Sequence, residues 1–265
     1  MKIVFIGAGN LATCISLGMQ RAGMGIGQIY SRTRESAEPL AKRLNCRWTT
    51  NLGEIVPNAD LYIFAVKDSA LAEVVSSVKP NDGLWVHTSG SMPMHLFEGY
   101  ARRYGVFYPL QTFTKERKIQ PDGIPVFLEA ASEEDMKLLK EIAIALSGRA
   151  LPLDSEKRKR LHMAAVFACN FTNHMYCLAG KILAEQDIPY DILLPLITET
   201  AAKVGDVSPQ EAQTGPAVRF DKEVLDAHTA MLADPAMRAI YQLISQNIYR
   251  EKLSHELYPL RPDED

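Results

Sequence analysis

The chain has 265 residues, of which 47% are hydrophobic and 23% are charged. This composition is that of an ordinary globular protein and excludes a disordered chain. The net charge of −3 favours neither a nucleic-acid nor a membrane partner, and the basic run from Lys157 to Arg160 is interpreted as one face of a helix start. At about 100–200 residues per domain, two domains are expected.

The N-terminus and the cysteines indicate a cytoplasmic protein. The apolar run that begins at Ile3 stops at Gly7, well short of the roughly 7–15 residues in the core of a signal peptide. No apolar stretch approaches the ~18–20 residues of a membrane span. The cysteines form neither a C-x-x-C pair nor a zinc spacing, so we expect reduced thiols and no metal site.

Up to about residue 153, short β-rich runs alternate with amphipathic helical patterns. This alternation predicts a Rossmann-type α/β domain, with a doubly wound, mostly parallel sheet that helices cover on both faces. The predicted strands are 2–6, 28–31, 60–66, 84–87, 106–108, 125–128 and 150–153, and the predicted helices between them are 11–22, 36–44, 69–78 and 133–146.

After residue 153 the sequence shows no convincing strand and becomes helical. Asp154 or Ser155 is placed to cap a helix that runs to about residue 186. Further helices are predicted to begin near Asp191, Ser208, Asp221 and Asp234. The chain is therefore divided into an α/β domain, 1–153, and an all-helical domain, 154–265.

A glycine-rich turn follows the first strand directly and opens a helix. Residues 7–12 have the form G-x-G-x-x-A, in which Gly7 permits a tight turn and Gly9 lets a pyrophosphate approach the backbone. The N-terminus of the following helix offers N–H groups and a partial positive charge to phosphates. We predict a dinucleotide site at Gly7, Gly9, Asn10 and Leu11, with a plain glycine turn as the alternative.

The end of the second strand predicts which dinucleotide is bound. NAD-binding domains usually place Asp or Glu about 20 residues after the glycines, where it holds the ribose 2′-hydroxyl. Here the segment Ser31-Arg32-Thr33-Arg34 precedes any carboxylate, and hydroxyl and guanidinium groups suit an anionic 2′-phosphate. We predict NADP, held by Ser31, Arg32 and Thr33 with help from Arg34; the alternative is a solvated helix start.

Two more strand ends are expected at the cofactor, because such sheets bind ligands outside the carboxyl ends of their strands. Ala65 and Val66 could contact adenosine or ribose, and Lys67 beside them fits a binding residue or a plain turn. The next strand ends in a hydroxyl-rich turn, in which Thr88 is predicted to contact the cofactor. Within that turn, Ser89 and Ser91 either bind a substrate or only cap the following helix.

His162 lies on the long predicted helix together with Asn170 and Asn173. At about 100° per residue, His162, Val166, Cys169 and Asn173 share one stripe, with Asn170 about 80° away. We predict that the stripe faces a cleft between the two domains, where His162 exchanges a proton during hydride transfer and the asparagines position substrate. The alternative is a satisfied histidine of the core or of a dimer interface.

Two loop residues complete the predicted substrate site. Gln111 follows Pro109 at a strand end, and Arg219 follows a Gly-Pro pair that leads into a helix. Arg219 could clamp a substrate carboxylate, or it could pair with Asp221 and hold the loop.

These residues also carry a resemblance to known families. Residues 6–12 and 31–33 resemble the loop and phosphate selector of pyrroline-5-carboxylate reductases and deazaflavin-dependent NADP reductases. Segments 87–91, 109–113, 162–171 and 214–221 resemble Rossmann-like proteins of the 6-phosphogluconate dehydrogenase-like superfamily that have a C-terminal domain of unknown function. The resemblance implies a Rossmann domain, a helical dimerisation domain and a nicotinamide cofactor. Two positions depart from it: Tyr108, where His is expected, and Phe220, where Gly is expected.

The sequence therefore predicts a homodimeric oxidoreductase that passes a hydride between NADP and a small carbonyl, imine or hydroxy-acid substrate. The alternative from another class is a non-catalytic NADP-binding sensor, whose helical domain would signal to a partner. A methyltransferase or another nucleotide-fold enzyme is disfavoured by the segment from Ser31 to Arg34.

Overall fold

The structure is a computed structural model that describes residues 1–115 and 122–257. The chain forms two compact units, Met1–Phe171 and Thr172–Asp265. Strands occur only up to Pro152 in the described part of the chain, and every regular element after that residue is helical. The domain boundary predicted between residues 153 and 154 stays a prediction.

The first unit is built on one eight-stranded sheet. Its strands are β1 Lys2–Ile6, β2 Gly25–Tyr30, β3 Arg47–Thr49, β4 Leu61–Phe64, β5 Leu84–His87, β6 Arg103–Pro109, β7 Val126–Ala130 and β8 Ala150–Pro152. They lie in the order β3-β2-β1-β4-β5-β6-β7-β8, and only β6 and β7 pair antiparallel. The order reverses between β1 and β4, which is where doubly wound sheets bind dinucleotides.

The helices of the first unit cover both faces of the sheet. They are α1 Asn10–Arg21, α2 Arg34–Leu44, α3 Asp68–Ser77, α4 Glu133–Ser147 and α5 Ser155–Ala165. Alternate residues of β1 enter two separate cores: Ile3 and Phe5 pack in one, Val4 and Ile6 in the other. This alternation follows from the two-residue period of a strand, and it confirms the prediction of a sheet buried on both faces.

All seven predicted strands are present, and β3 is the strand that the sequence did not predict. It has three residues, of which Arg47 is exposed and Trp48 is half-buried. So short a segment carries too little alternation to be recognised. Its place at the sheet edge comes from pairing with β2, where Gln28 is opposite Arg47.

The second unit contains only helices in its described part. They are α6 Thr172–Ala184, α7 Leu194–Lys203, α8 Pro209–Ala212, α9 Pro216–Arg219, α10 Lys222–Met231 and α11 Pro235–Leu257. The predicted starts are confirmed: Asp191 lies in a helical turn that precedes α7, Ser208 and Asp221 cap α8 and α10, and Asp234 precedes α11. Across residues 1–115 and 122–257, no helix is both long and apolar enough to cross a membrane.

Candidate functional site

The turn after β1 has a backbone that only glycine can adopt at its first position. Gly7 has φ +126°, and a Cβ there would lie 2.2 Å from the backbone oxygen of Ala65. The turn therefore packs directly on the end of β4. An added Cβ at Gly9, by contrast, would meet no protein atom within 4 Å. Packing within the protein does not require a glycine at this position, whereas a pyrophosphate approaching the backbone would.

Gly9 is also the N-cap of α1, and no side chain caps that helix end. The first N–H groups of a 12-residue helix are thus available to an anion. The Asn10 side chain is partly engaged, since Nδ2 donates to the Phe113 carbonyl at 3.0 Å. Leu11 packs against the core, so its backbone is what it offers to the predicted site.

Two arginines, Arg32 and Arg34, follow β2, and the structure shows that their surroundings differ. Arg34 Nε donates to Glu38 at 2.8 Å, and its guanidinium lies 5.6 Å from the centre of the Trp48 ring. The pKa of Glu38 is held at about 2 by its hydrogen bonds to Arg34 and Lys42. Arg32 is exposed and has no ion pair among the described residues. The arginine left to bind a 2′-phosphate is therefore Arg32.

The neighbouring hydroxyls and strand end are held by local structure. Ser31 N donates to the Thr49 carbonyl at 3.2 Å, and Thr33 is the N-cap of α2, with its hydroxyl donating to Ser36 at 3.0 Å. Lys67 is exposed and is the N-cap of α3, and its predicted binding role stays a prediction. Val66 is half-buried beside it.

The turn after β5 is a network of hydroxyl groups. Thr88 is buried, and its N–H donates to the Phe64 carbonyl at 3.2 Å. Ser89 Oγ accepts from the N–H groups of Ser91 and Met92, at 3.1 and 3.0 Å. A hydroxyl has two acceptor lone pairs and one proton. Because the Ser91 hydroxyl gives its proton to Asp68, the Ser89 proton is directed at Ser91 Oγ, 3.4 Å away, a long contact that a substrate oxygen could replace.

Ser91 continues this network towards a carboxylate. Its hydroxyl donates to Asp68 Oδ2 on the first turn of α3, and it lies 3.4 Å from Ser89 Oγ. Ser89 thus accepts from the backbone as a cap does, and the predicted role of Ser89 and Ser91 in substrate binding stays a prediction.

His87 lies beneath this turn and was not predicted to have a role. It is fully buried, and its Nδ1 accepts from the Ser89 N–H at 3.2 Å. The ring proton is therefore on Nε2, which has no hydrogen bond of good geometry in the described part of the chain. Burial, reinforced by the nearby charge of Arg158, lowers the pKa of His87 to about 4. His87 is a neutral support for the hydroxyl turn.

His162 lies against the same turn. A Cβ on Gly90 would fall 2.6 Å from both Cγ and Nδ1 of His162, so the imidazole occupies the space that a side chain at position 90 would fill. The Tyr108 hydroxyl lies 3.0 Å from Nδ1, and the two rings meet edge to face at 6.1 Å. The structure thus brings His162, Tyr108 and the turn of Ser89 together at the carboxyl ends of β5 and β6.

The basic run begins a helix as predicted, but its residues do not share one face, because Arg158 points inward. Its side chain is 1% exposed and forms an ion pair with Glu129 on β7. Its Nη2 also donates to the Met92 carbonyl at 2.6 Å and to Ser155 Oγ at 3.1 Å. Arg158 points inward one helical turn before His162, and it ties α5 to both β7 and the turn after β5.

The angular prediction for the helix after His162 is wrong, because the helix is not α-helical throughout. Asp154 caps α5 as expected, accepting from Lys157 N at 2.8 Å, but residues Val166–Phe171 form a π-helix. A π-helix turns less per residue than the 100° assumed, so the predicted stripe does not continue beyond Val166. Asn170 lies in the π-helix and Asn173 follows it in α6, and both are exposed.

Two predicted site residues of the first unit, Gln111 and Asn170, form no hydrogen bond with His162, Ser89 or Ser91 in the described part of the chain. The other two, Asn173 and Arg219, belong to the second unit. Gln111 uses its side-chain oxygen locally, accepting from Thr112 N at 2.8 Å. Arg219 is an exposed residue at the end of α9, and Asp221 instead caps α10. Their predicted roles in substrate binding stay predictions.

The two departures from the family pattern have different settings. Tyr108 touches His162, so its substitution falls within the candidate site. Phe220 has φ +52°, a left-handed conformation that favours glycine, which explains why glycine is expected there. Its ring stacks on Tyr249 with centres 4.5 Å apart.

Two family models match the chain. One is described as NADP oxidoreductase, coenzyme F420-dependent, and matches residues 2–87. The other is described as a domain of unknown function, DUF2520, and matches residues 124–248. A comparison with curated proteins found no match.

Solved structures share the fold over nearly the whole chain. A "putative NADP oxidoreductase" from Bacteroides fragilis is 51% identical, with a TM-score of 0.90 over 94% of this chain and 98% of that one. A 1-pyrroline-5-carboxylate reductase from Streptococcus pyogenes is 14% identical, with a TM-score of 0.66 over 96% and 98%. An imine reductase from Myxococcus stipitatus, solved with NADP+, is 18% identical, with a TM-score of 0.63 over 98% and 95%.

The Bacteroides fragilis structure is similar enough to show kinship, whereas the two more distant structures show the fold alone. The predicted Rossmann fold with a helical C-terminal region is confirmed. The resemblance to NADP oxidoreductases that have a C-terminal domain of unknown function is confirmed as well.

Proposed function

Because the chain belongs to the family of the Bacteroides fragilis protein, in which an NADP-oxidoreductase-type domain precedes a DUF2520 domain, we propose that it is an NADP-dependent oxidoreductase. It transfers a hydride to or from a small carbonyl, imine or hydroxy-acid substrate. The observation that carries the proposal is the turn after β1, where Gly7 is sterically required by the protein and Gly9 faces open space.

The preference for NADP rests on Arg32. Arg34 already binds Glu38 and lies over Trp48, whereas Arg32 is exposed beside the end of β2. A guanidinium binds phosphate through charge-assisted hydrogen bonds that a ribose hydroxyl does not form. The Gly9 end of α1 would hold the pyrophosphate, as helix N-termini do.

Acid–base chemistry is assigned to His162. The bound cofactor supplies or accepts the hydride, and the substrate oxygen or nitrogen must gain or lose a proton in the same reaction. A histidine ring can give a proton from one nitrogen and accept one at the other, which suits that exchange. Ser89 Oγ accepts from two backbone N–H groups, so it would hold a substrate carbonyl oxygen by donating its proton there instead of to Ser91 Oγ at 3.4 Å.

The convergence of polar groups favours an enzyme over a sensor. A protein that only senses NADP has no need for a histidine, a buried tyrosine and a hydroxyl turn in one place. His162, Tyr108 and the turn of Ser89 lie in direct contact or one residue apart. Perturbed groups that converge at the carboxyl end of a sheet are typical of catalytic sites.

A homodimer is proposed from the exposed surface of the second unit. In its described part only Ala217 and Met237 are buried apolar residues, so its helices leave an apolar surface that needs a cover. A second copy of the chain is the partner that the family resemblance implies. Large side chains exposed there are Ile182, Ile192, Leu194, Leu196, Met231 and Leu243.

Sedimentation of the purified protein tests the dimer: it should give twice the chain mass of 29.5 kDa, and a stable monomer would overturn the proposal.

We also propose a cytoplasmic location, because the four cysteines are free thiols, as is usual in reducing compartments.

Fluorescence titration with NADPH and NADH tests the cofactor assignment, with Arg32→Ala and Arg34→Ala as a matched pair. A hydrogen bond to a charged group contributes about 1.5–3 kcal/mol, so Arg32→Ala should weaken NADPH binding about 10-fold to 100-fold. NADH binding should not change. Arg34→Ala should have a smaller effect, since that side chain has partners in the protein. Equal affinity of the natural chain for the two cofactors would overturn the assignment.

A further inference from the structure

We propose that Tyr108 is a positioning residue that occupies Nδ1 of His162, so that Nε2 is the nitrogen that exchanges a proton with substrate. The inference rests on the proposed function, because it assigns a role within the same site. Its test is a property of the histidine ring that can be measured without any substrate.

The His162 ring is held on one side only. The Tyr108 hydroxyl lies 3.0 Å from Nδ1, and the backbone at Gly90 lies against Cγ and Nδ1. Both contacts involve the half of the ring that carries Nδ1. In the described part of the chain Nε2 has no hydrogen-bond partner, and the residue is only half-buried. Nε2 is therefore the nitrogen available to a ligand.

Tyr108 suits this position because its hydroxyl can both donate and accept. The side chain is 7% exposed, and burial raises the pKa of its phenol, with Arg158 acting in the opposite direction and Asp68 in the same one. The phenol is therefore neutral near pH 7. It donates to Nδ1 when that nitrogen carries no proton, and it accepts from Nδ1–H when that nitrogen is protonated.

A phenol is a stronger hydrogen-bond donor than acceptor, so this bond favours the neutral ring in which Nδ1 accepts from Tyr108 and Nε2 carries the proton. In the imidazolium both nitrogens are protonated, and Nε2 faces a substrate as a donor. A ring without Tyr108 has no such preference, and its single proton can lie on either nitrogen.

The proton balance of a reduction follows from this arrangement. As a hydride adds to the carbonyl carbon of the substrate, the C=O π electrons move to the oxygen. That oxygen takes the Nε2 proton of the His162 imidazolium and becomes a hydroxyl. The ring is left neutral with its remaining proton on Nδ1, and this N–H donates to Tyr108 Oη. Solvent then restores the lost proton.

The test compares Tyr108→Phe with Tyr104→Phe by nitrogen-15 NMR of the histidine side chains. Tyr104 lies on the same strand, and its hydroxyl is 3.5 Å from Glu98 rather than near His162. The His162 signals are identified by their loss in His162→Gln. The natural chain and Tyr104→Phe should show the Nε2–H form of His162 at pH 8. Tyr108→Phe should show a mixture of the two neutral forms.

A kinetic measurement accompanies the spectroscopic one. NADPH oxidation is followed with an aliphatic aldehyde, a 2-oxo acid and a cyclic imine as probes. Tyr108→Phe should lower kcat about 10-fold to 100-fold, which is part of the roughly 10²–10⁴ that a placed general acid supplies. KM for NADPH should stay the same, because Tyr108 touches His162 and not the dinucleotide turn.

The two measurements separate the two proposals. If none of the probes oxidises NADPH but the tautomer changes in Tyr108→Phe, the positioning role holds and the proposed substrate classes fail. An unchanged His162 tautomer in Tyr108→Phe would overturn the positioning role, whatever the activity.

Discussion

Acidification should destabilise the first unit through His87, the buried neutral histidine under the hydroxyl turn. Its pKa is lowered to about 4 in the folded protein, against an ordinary value of about 6.5 in an unfolded chain. Between these two values the unfolded chain binds more protons than the folded one. Stability therefore falls as the pH drops through this window.

The size of the effect follows from the two pKa values. Each unit of pKa difference corresponds to about 1.4 kcal/mol, and most of the window has been crossed when the pH falls from 7 to 4.5. The free energy of unfolding should therefore fall by about 2 kcal/mol through His87 alone. Carboxylates with lowered pKa values, such as that of Asp154, add their own loss in acid, so a comparison of variants is needed.

Urea denaturation at pH 7 and pH 4.5 measures the loss of unfolding free energy that is due to His87. The two tryptophans, Trp48 and Trp85, both lie in the first unit, so their fluorescence reports its unfolding. His87→Asn keeps an acceptor near the Ser89 N–H but removes the titrating ring, and it should lose about 2 kcal/mol less on acidification than the natural chain. His95→Asn, which changes an exposed histidine, should behave as the natural chain does. An equal acid loss in the natural chain and in His87→Asn would refute the reasoning.

Three further predictions concern packing around the site and in the helical unit. Gly7→Ala should abolish NADPH binding in a titration and lower the urea midpoint, because the added methyl would overlap the backbone oxygen of Ala65 at 2.2 Å. Gly9→Ala should weaken NADPH binding and leave the urea midpoint unchanged. Similar urea midpoints for the two variants would contradict this account. Arg158→Met leaves Glu129 without its ion-pair partner and should cost about 3–5 kcal/mol in urea denaturation; a loss below 1 kcal/mol would mean that the pair behaves as a surface one. Phe220→Ala and Phe220→Gly both lose the ring stacking, but only the glycine variant relieves the left-handed backbone strain. Phe220→Ala should therefore be less stable than Phe220→Gly by about 1 kcal/mol. Calorimetry that shows the reverse order would argue against strain at this position.

The sequence predicted those features that depend on local patterns. Apolar runs marked seven of the eight strands, and capping residues such as Ser208 marked the helix starts of the second unit. The turn at Gly7 was recognisable because the strand, the glycines and the helix are contiguous in the chain.

The features that the sequence did not predict depend on contacts between distant segments. Arg158 stands in a run of four basic residues, and only its ion pair with Glu129 on another element shows that it is buried. Tyr108 was noticed as a departure from relatives, but its contact with His162 spans 54 positions of sequence. The π-helix at Val166–Phe171 leaves no trace in hydrophobic periodicity, so helical geometry was extrapolated beyond its range.

The different surroundings of Arg32 and Arg34 could be predicted only in part from the sequence. Both arginines suit a phosphate by residue type. An i,i+4 carboxylate at Glu38 was visible in the sequence as a possible partner for Arg34, whereas the Trp48 ring beneath that guanidinium became available only once β3 was placed at the sheet edge.

NADPH turnover in the natural chain and in His162→Gln tests the central claim most directly. With an aldehyde, a 2-oxo acid or a cyclic imine, the natural chain should consume NADPH, followed at its absorbance band, and should prefer it to NADH. His162→Gln should bind NADPH as tightly and turn over about 10²–10⁴ times more slowly. Tight NADPH binding with no turnover of any probe, or full activity in His162→Gln, would contradict the account.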